Sequence, residues 1–225
     1  MKPKPIPAAL AAVFLAVEGI LYVSFLTMDL LGMSQHTIWL KYAGVILCAL
    51  FSALCATRTD DWFLVQALVF TVCADWFLLV RGENPLAGVL LFWIAQMGYT
   101  TRLLRVRVPL RPWLRLGLLL LAEIALFLSG MMTSLLNAAA GVYFSMLVGN
   151  AILSWTLTDR RWRRFSLGLT LFICCDICVG LFNSGLLSGT PYRLVSFGMW
   201  LFYLPSQVLI ALSGLPEKEV PHETE

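Results

Sequence analysis

Trp62-Phe63-Leu64-Val65-Gln66-Ala67-Leu68-Val69-Phe70-Thr71-Val72-Cys73-Ala74-Asp75-Trp76-Phe77-Leu78-Leu79-Val80 is long and apolar enough to cross a membrane, and it carries an aspartate beyond its middle. A hydrocarbon core about 30 Å thick requires about 20 residues of helix at 1.5 Å per residue. A charged carboxyl at the centre of such a helix costs about 2.5–3.5 kcal/mol on insertion scales, so its presence there points to function. The stretch has a counterpart in Cys174-Cys175-Asp176-Ile177-Cys178, which sets Asp176 into a second apolar segment.

The whole chain reads the same way. Hydrophobic residues make up 60% of it, charged residues only 13%, and the mean hydropathy is +0.83, whereas a soluble domain has about 25% charged residues. An all-α, polytopic membrane bundle is expected, with eight spans: Pro7 to Met28, Ile38 to Ala56, Trp62 to Val80, Leu86 to Leu104, Pro112 to Gly130, Leu135 to Thr156, Phe165 to Asn183 and Leu194 to Ser213. No composition break divides these segments. Residues 1–213 therefore form a single eight-helix domain, and 214–225 read as a disordered, acidic, Pro-punctuated tail.

Basic residues test the count, because they collect on the cytoplasmic side. With the N-terminus inside, that side holds Lys2, Lys4, Arg58, Arg102, Arg105, Arg107, Arg111, Arg115, Arg160, Arg161, Arg163, Arg164 and Lys218, leaving only Lys41, Arg81 and Arg193 opposite. A missed span would scramble the split, so both termini are placed in the cytoplasm of a multi-pass protein; in a prokaryote this means the cytoplasmic membrane. The Arg-rich loops are short and lie at helix ends, which suits topology signals and anionic lipids rather than nucleic acid. The first span is too long for a cleaved signal peptide and lacks a small-residue cleavage site.

All six cysteines fall inside predicted spans and are expected as free thiols packed like small hydrophobes. Cys175 and Cys178 have C-x-x-C spacing, but a zinc or redox site needs a second ligand pair, and His36 and His222 are remote in sequence. No metal or cofactor is expected.

Depth brings the polar residues together. Asp75 and Asp176 lie about 13 and 11 residues into outward-running spans, roughly 20 and 17 Å along the axis, a little beyond the midplane. Glu123 reaches a similar level, Glu18 and Gln96 lie near the middle, and Lys41 opens an inward-running span at the outer interface. Each half also offers an Asp helix followed by a helix carrying Tyr and Gln: Asp75 then Gln96 and Tyr99, Asp176 then Tyr203 and Gln207. This is a weak internal repeat. Simpler roles stand beside the functional ones: Lys41 snorkelling to the interface, Glu18 and Glu123 hydrogen-bonded between helices, and Tyr99, Tyr143 and Tyr203 as ordinary amphipathic rings.

The collinear set of Lys41, Ala74-Asp75-xx-Leu78, Phe92-xxx-Gln96-xx-Tyr99, Val142-Tyr143, Cys175-Asp176 with Asn183, and Phe202-Tyr203-xxx-Gln207-xxxxx-Ser213 resembles the YhhN, or lysoplasmalogenase-like, family of eight-span membrane proteins. The resemblance runs from about Lys41 to Ser213. Two positions depart from the family pattern: Ala74 stands where Gly is frequent and Gln96 where His is frequent. Neither removes a carboxylate.

The resemblance implies an ether hydrolase of lipid metabolism. Its substrate is a lysophospholipid held among membrane lipids, whose vinyl ether bond is cleaved to a fatty aldehyde and glycerophospho-ethanolamine or glycerophospho-choline. Protonating the outer alkene carbon gives an oxocarbenium ion that water attacks, and this chemistry needs one carboxylic acid and one carboxylate, the roles open to Asp75 and Asp176. Lys41, Gln96, Tyr99, Tyr143, Asn183, Tyr203 and Gln207 would bind or orient the substrate and water, with Glu18 and Glu123 in support. The rival readings are a transporter or lipid-binding protein with proton-coupled carboxylates, and a noncatalytic bundle whose polar residues join helices.

Overall fold

The computed structural model describes residues 8–56, 59–106, 117, 121, 124 and 134–215. They form seven long helices and, among the described residues, no strand: α1 (Ala8–Leu30), α2 (Ile38–Cys55), α3 (Thr59–Asp75), α4 (Pro85–Arg105), α5 (Leu135–Ser154), α6 (Arg160–Asn183) and α7 (Gly189–Leu212). Six are long and apolar enough to cross a membrane. α4, at 21 residues, is the exception, because Gln96, Tyr99, Thr100, Thr101 and Arg102 lower its hydropathy. The span expected at Pro112 to Gly130, Glu123 included, lies outside the described residues apart from helical positions 117, 121 and 124, and so does the tail from 216.

Helices α2 to α7 pack in order, α2 on α3, α3 on α4, α4 on α5, α5 on α6 and α6 on α7, and α7 returns to α2 to close a ring of six. α1 lies outside this ring, touching α2 and α7 over the seam where it closes. Polarity is inverted relative to a soluble bundle. Ile20, Leu54, Trp62, Leu104, Leu135 and Leu194 face outward, whereas Glu18, Lys41, Asp75, Gln96, Arg102, Asn150 and Gln207 are buried. That is the distribution expected when the solvent is hydrocarbon and polar groups must be satisfied internally. α2 illustrates the pattern: Lys41, Gly44, Cys48, Ser52 and Cys55 recur every three or four residues on its buried face.

Local chemistry sets the helix ends and their irregularities. Asn84 takes a left-handed backbone (φ 56°) and its Oδ1 accepts the Ala87 N–H at 3.3 Å, capping α4 ahead of Pro85 in the first turn. α7 runs through Pro205 without a break. Proline has no N–H for the carbonyl four residues back, and that carbonyl, Leu201 O, instead accepts the Tyr22 hydroxyl of α1 at 2.8 Å. Gly168 lets α6 approach α7 closely, since a Cβ there would stand 2.9 Å from the Ser206 carbonyl oxygen. α6 and α7 each begin five residues before the apolar segment expected from hydropathy. Hydropathy marks where the hydrocarbon begins, and a helix continues into the interface as long as its backbone bonds are made.

All six cysteines are free, and Cys48, Cys55 and Cys175 are buried as expected. Cys73 instead faces outward, a position in which a small apolar side chain is equally at ease among lipid chains.

Candidate active site

Asp75 ends the α-helical part of α3, and the next six residues, Trp76–Arg81, wind as a π-helix. Such widened turns inside α-helices occur frequently at functional sites. Asp75 is 5% exposed, and its Oδ2 accepts the Tyr203 hydroxyl of α7 at 2.7 Å, across the ring of helices. Asp176 of α6 has the same arrangement with a different partner: its Oδ2 accepts the Tyr143 hydroxyl of α5 at 2.6 Å. Both are short, well-formed O–H···O hydrogen bonds. The tyrosine partners thus depart from the sequence repeat. Tyr203, on the helix after Asp176, serves Asp75, while Asp176 takes its partner from the helix before it.

Two phenylalanines join the Asp–Tyr pairs into one site. Phe92 of α4 packs on Tyr143 at 5.6 Å and on Tyr203 at 6.5 Å between ring centroids, and Phe172 of α6 packs on the same two rings at 6.4 and 5.5 Å. Each aspartate bonds a tyrosine rather than the other aspartate, and each keeps Oδ1 free of protein hydrogen bonds. A substrate or water beside the Phe92–Phe172 pair would therefore meet two carboxyl oxygens with unused capacity, in surroundings that are otherwise aromatic.

Lys41 does not snorkel. It is 4% exposed, its Nζ forms an ion pair with Asp29 at 2.7 Å, and it lies over the Phe25 and Trp200 rings at 5.7 and 5.0 Å. Thr37 Oγ1 donates to the other Asp29 oxygen at 2.8 Å. Trp200 is in turn 5.3 Å from Tyr203, so a single ring separates this ion pair from the Asp75 side of the site. Sequence reasoning missed Asp29, because an acid just past the end of a span passes for an interfacial residue. The available signal was its position across a short turn from a lysine that had to be buried.

The remaining expected residues divide. Gln96 Oε1 accepts the Asn150 amide at 3.0 Å, and Asn150 Oδ1 accepts the Thr100 hydroxyl at 2.9 Å, which adds two residues that had not been singled out. Gln96 Nε2, the Tyr99 hydroxyl and Gln207 Oε1 are buried without a partner, an unusual accumulation for one core. Glu18 is buried against Cys48. Asn183 is not brought to the site. It is exposed at the end of α6 and donates to the Val179 carbonyl of its own helix at 2.8 Å.

Two arginines read as topology signals are interior groups. Arg102 is fully buried, donates to Ser213 Oγ and Ser213 O at 2.8 Å each, and stacks on Trp162 and Phe165. Arg161 donates to the same Ser213 carbonyl at 3.0 Å and pairs with Asp61 at 2.6 Å. The last carbonyls of α7 attract cations, and aromatic faces cover the guanidinium groups, so here the charge is turned inward rather than toward lipid headgroups.

The chain has no significant match among curated proteins or among solved structures. The YhhN family model matches residues 36–214, which take in every described helix from α2 to α7, both aspartates and their two tyrosines, and the chain belongs to the YhhN family.

Proposed function

We propose that this chain hydrolyses an ether lipid, cleaving the vinyl ether bond of a lysoplasmalogen to a fatty aldehyde and a glycerophospho-ethanolamine or glycerophospho-choline. The observation that carries the reading is the pair of carboxyls, Asp75 buried and Asp176 half-buried, each bonded to a tyrosine and set about the Phe92–Phe172 rings inside a membrane bundle. One aspartate, as the acid, passes its proton to the outer alkene carbon. The other, ionised, takes a proton from the water that attacks the resulting oxocarbenium ion, and the hemiacetal then collapses as a proton returns to the departing glycerol oxygen. Tyr143 and Tyr203 hold Oδ2 of each carboxyl and leave Oδ1 for the reaction. Gln96, Tyr99 and Gln207 have the unused hydrogen-bonding capacity to place the water or the glycerol hydroxyl. The rings of Phe92 and Phe172 suit the alkenyl chain, and Lys41 lies where the phosphate would approach.

The test is fatty aldehyde release from an alkenyl lysophospholipid by detergent-purified protein, beside an ester-linked lysolipid. Aldehyde is expected from the first alone. Folded protein that releases none would overturn the reading and turn attention to transport.

The same reading places residues 1–213 as one eight-span domain with both termini cytoplasmic. With a membrane-impermeant thiol reagent, Lys218→Cys is expected to label only in inverted vesicles and Ser188→Cys only in right-side-out ones. Labelling of both from one side would refute the topology.

A further inference from the structure

The Lys41–Asp29 ion pair joins α2 to α1, and its side chains are only 6% and 9% exposed. Burying two charges seldom adds stability, since well-packed apolar residues of the same volume do as well or better. The surroundings point to another use. Asp29 is tied down on one side, where its Oδ1 accepts the hydroxyl of the fully buried Thr37 at 2.8 Å. Its Oδ2 accepts the Lys41 ammonium at 2.7 Å, and that ammonium lies over the Phe25 and Trp200 rings at 5.7 and 5.0 Å. The two rings brace each other edge to face at 5.8 Å, and Phe25 is fully buried. A fixed carboxylate and two fixed aromatic faces are the parts from which a seat for an organic cation is built. The occupant, by contrast, ends a flexible four-carbon stem.

The seat adjoins the site already described. Trp200 packs on Tyr203 at 5.3 Å, and the Tyr203 hydroxyl bonds Asp75. A lipid whose ether bond lies at Asp75 therefore needs only its glycerol unit to pass this ring pair before its headgroup meets Asp29 and Lys41. On the other side, Ser34, Gln35 and His36 of the connecting turn are exposed, which leaves a polar approach to the pair. Phe25 and Asp29 precede residue 36, so half of the seat comes from α1, outside the stretch matched by the family model.

We infer that this seat receives the primary ammonium of a phosphoethanolamine headgroup, for which the Lys41 ammonium is the resident stand-in. On binding, the ligand's ammonium takes the place of Lys41 Nζ at Asp29 and over the two rings, and Lys41 turns to the phosphate. One ion pair becomes two, so neither side chain is left as an uncompensated charge. The inference rests on the lysophospholipid reading for its ligand and narrows the headgroup that reading leaves open. A choline headgroup fits less well, because its trimethylammonium has no N–H to give Asp29 and is bulkier than the ammonium it replaces. An anionic headgroup satisfies Lys41 but strips Asp29 of its partner and sets a negative charge beside it, which is discrimination by repulsion. Asp29 is thus a specificity-determining residue, and it takes no part in bond cleavage.

The experiment measures binding of saturated alkyl-ether lysolipids, which have no vinyl ether to cleave, to the full-length protein in detergent, by competition against radiolabelled alkyl-ether lysophosphoethanolamine. The ethanolamine lipid is expected to bind about 10- to 100-fold more tightly than its choline or phosphoglycerol counterparts, the worth of a hydrogen bond to a charged group. Asp29→Asn is expected to bring the three headgroups to similar affinity, and Lys41→Met to weaken all three, since each carries the phosphate. Choline bound as tightly as ethanolamine by wild type, or a preference that survives Asp29→Asn, overturns the seat. Should Asp29→Asn fail to fold, Thr37→Val decides: it keeps the carboxylate but releases Oδ1, so the preference should shrink, and an unchanged preference overturns the seat. Free glycerophosphoethanolamine is expected to compete far more weakly than the lipid; equal competition would make the free ester the ligand and overturn the lipid assignment. An ethanolamine preference without aldehyde release from the alkenyl lipid retires the hydrolase reading and leaves the seat standing, whereas aldehyde release without headgroup preference does the reverse.

Discussion

Asp75→Asn and Asp176→Asn are each expected to lower aldehyde release by about 10²- to 10⁴-fold, the usual contribution of a positioned acid or base. The substitution is chosen for what it preserves. Asparagine has nearly the volume of aspartate, and its carbonyl oxygen can still accept the Tyr203 or Tyr143 hydroxyl that now reaches Oδ2 at 2.7 or 2.6 Å. Packing about Phe92 and Phe172 should therefore survive, and only the ability to give or take a proton is lost. The matching phenylalanine variants, Tyr203→Phe and Tyr143→Phe, keep the carboxyls but release Oδ2, so they should fall between wild type and the asparagine variants. Rate and thermal midpoint must be measured together. A folded asparagine variant that retains activity within a few-fold of wild type removes its aspartate from the chemistry.

Both carboxyls were legible in the chain because each interrupts an apolar run, where the energetic cost of an acid leaves few explanations. The helices were legible for the related reason that about 20 apolar residues have few alternatives in a bilayer. Their pairing was not. Asp75 lies 128 residues from the tyrosine that holds it, and which ring reaches which carboxyl depends on the order of helices around the ring and on the π-helical turn after Asp75, neither of which leaves a mark in hydropathy. Charges near helix ends were the least legible. Lys41, Arg102 and Arg161 all fit the rule for interfacial basic residues, yet each is buried with a partner, Asp29, Ser213 and Asp61 respectively, and of these only Ser213 had been singled out, without this role. The positive-inside rule concerns which side a charge stays on and says nothing about whether it then faces lipid or the interior.

That inward-facing arginine cluster carries the largest expected effect on stability. Asp61→Leu removes the carboxylate that Arg161 holds at 2.6 Å, and removing one partner of a buried pair typically costs about 3–5 kcal/mol. The double variant Asp61→Leu with Arg161→Met should recover much of the loss, because it removes both charges of the pair and leaves apolar volume in their place. The recovery will be incomplete, since Arg161 also donates to the Ser213 carbonyl, and of the two arginine bonds to that carbonyl only the one from Arg102 would then remain. That end matters to the site: α7 also carries Tyr203 and Gln207, about three and two turns away, and Ser213 is where α4 and α6 both fasten it. Loosening the fastening should therefore lower activity before it unfolds the protein, with Asp61→Leu losing rate at temperatures well below its own thermal midpoint. Thermal midpoints of the two single variants and the double in one detergent give the coupling directly. Additive losses would show that Asp61 and Arg161 act separately, and α7 would then owe its position to the aromatic packing around Arg102.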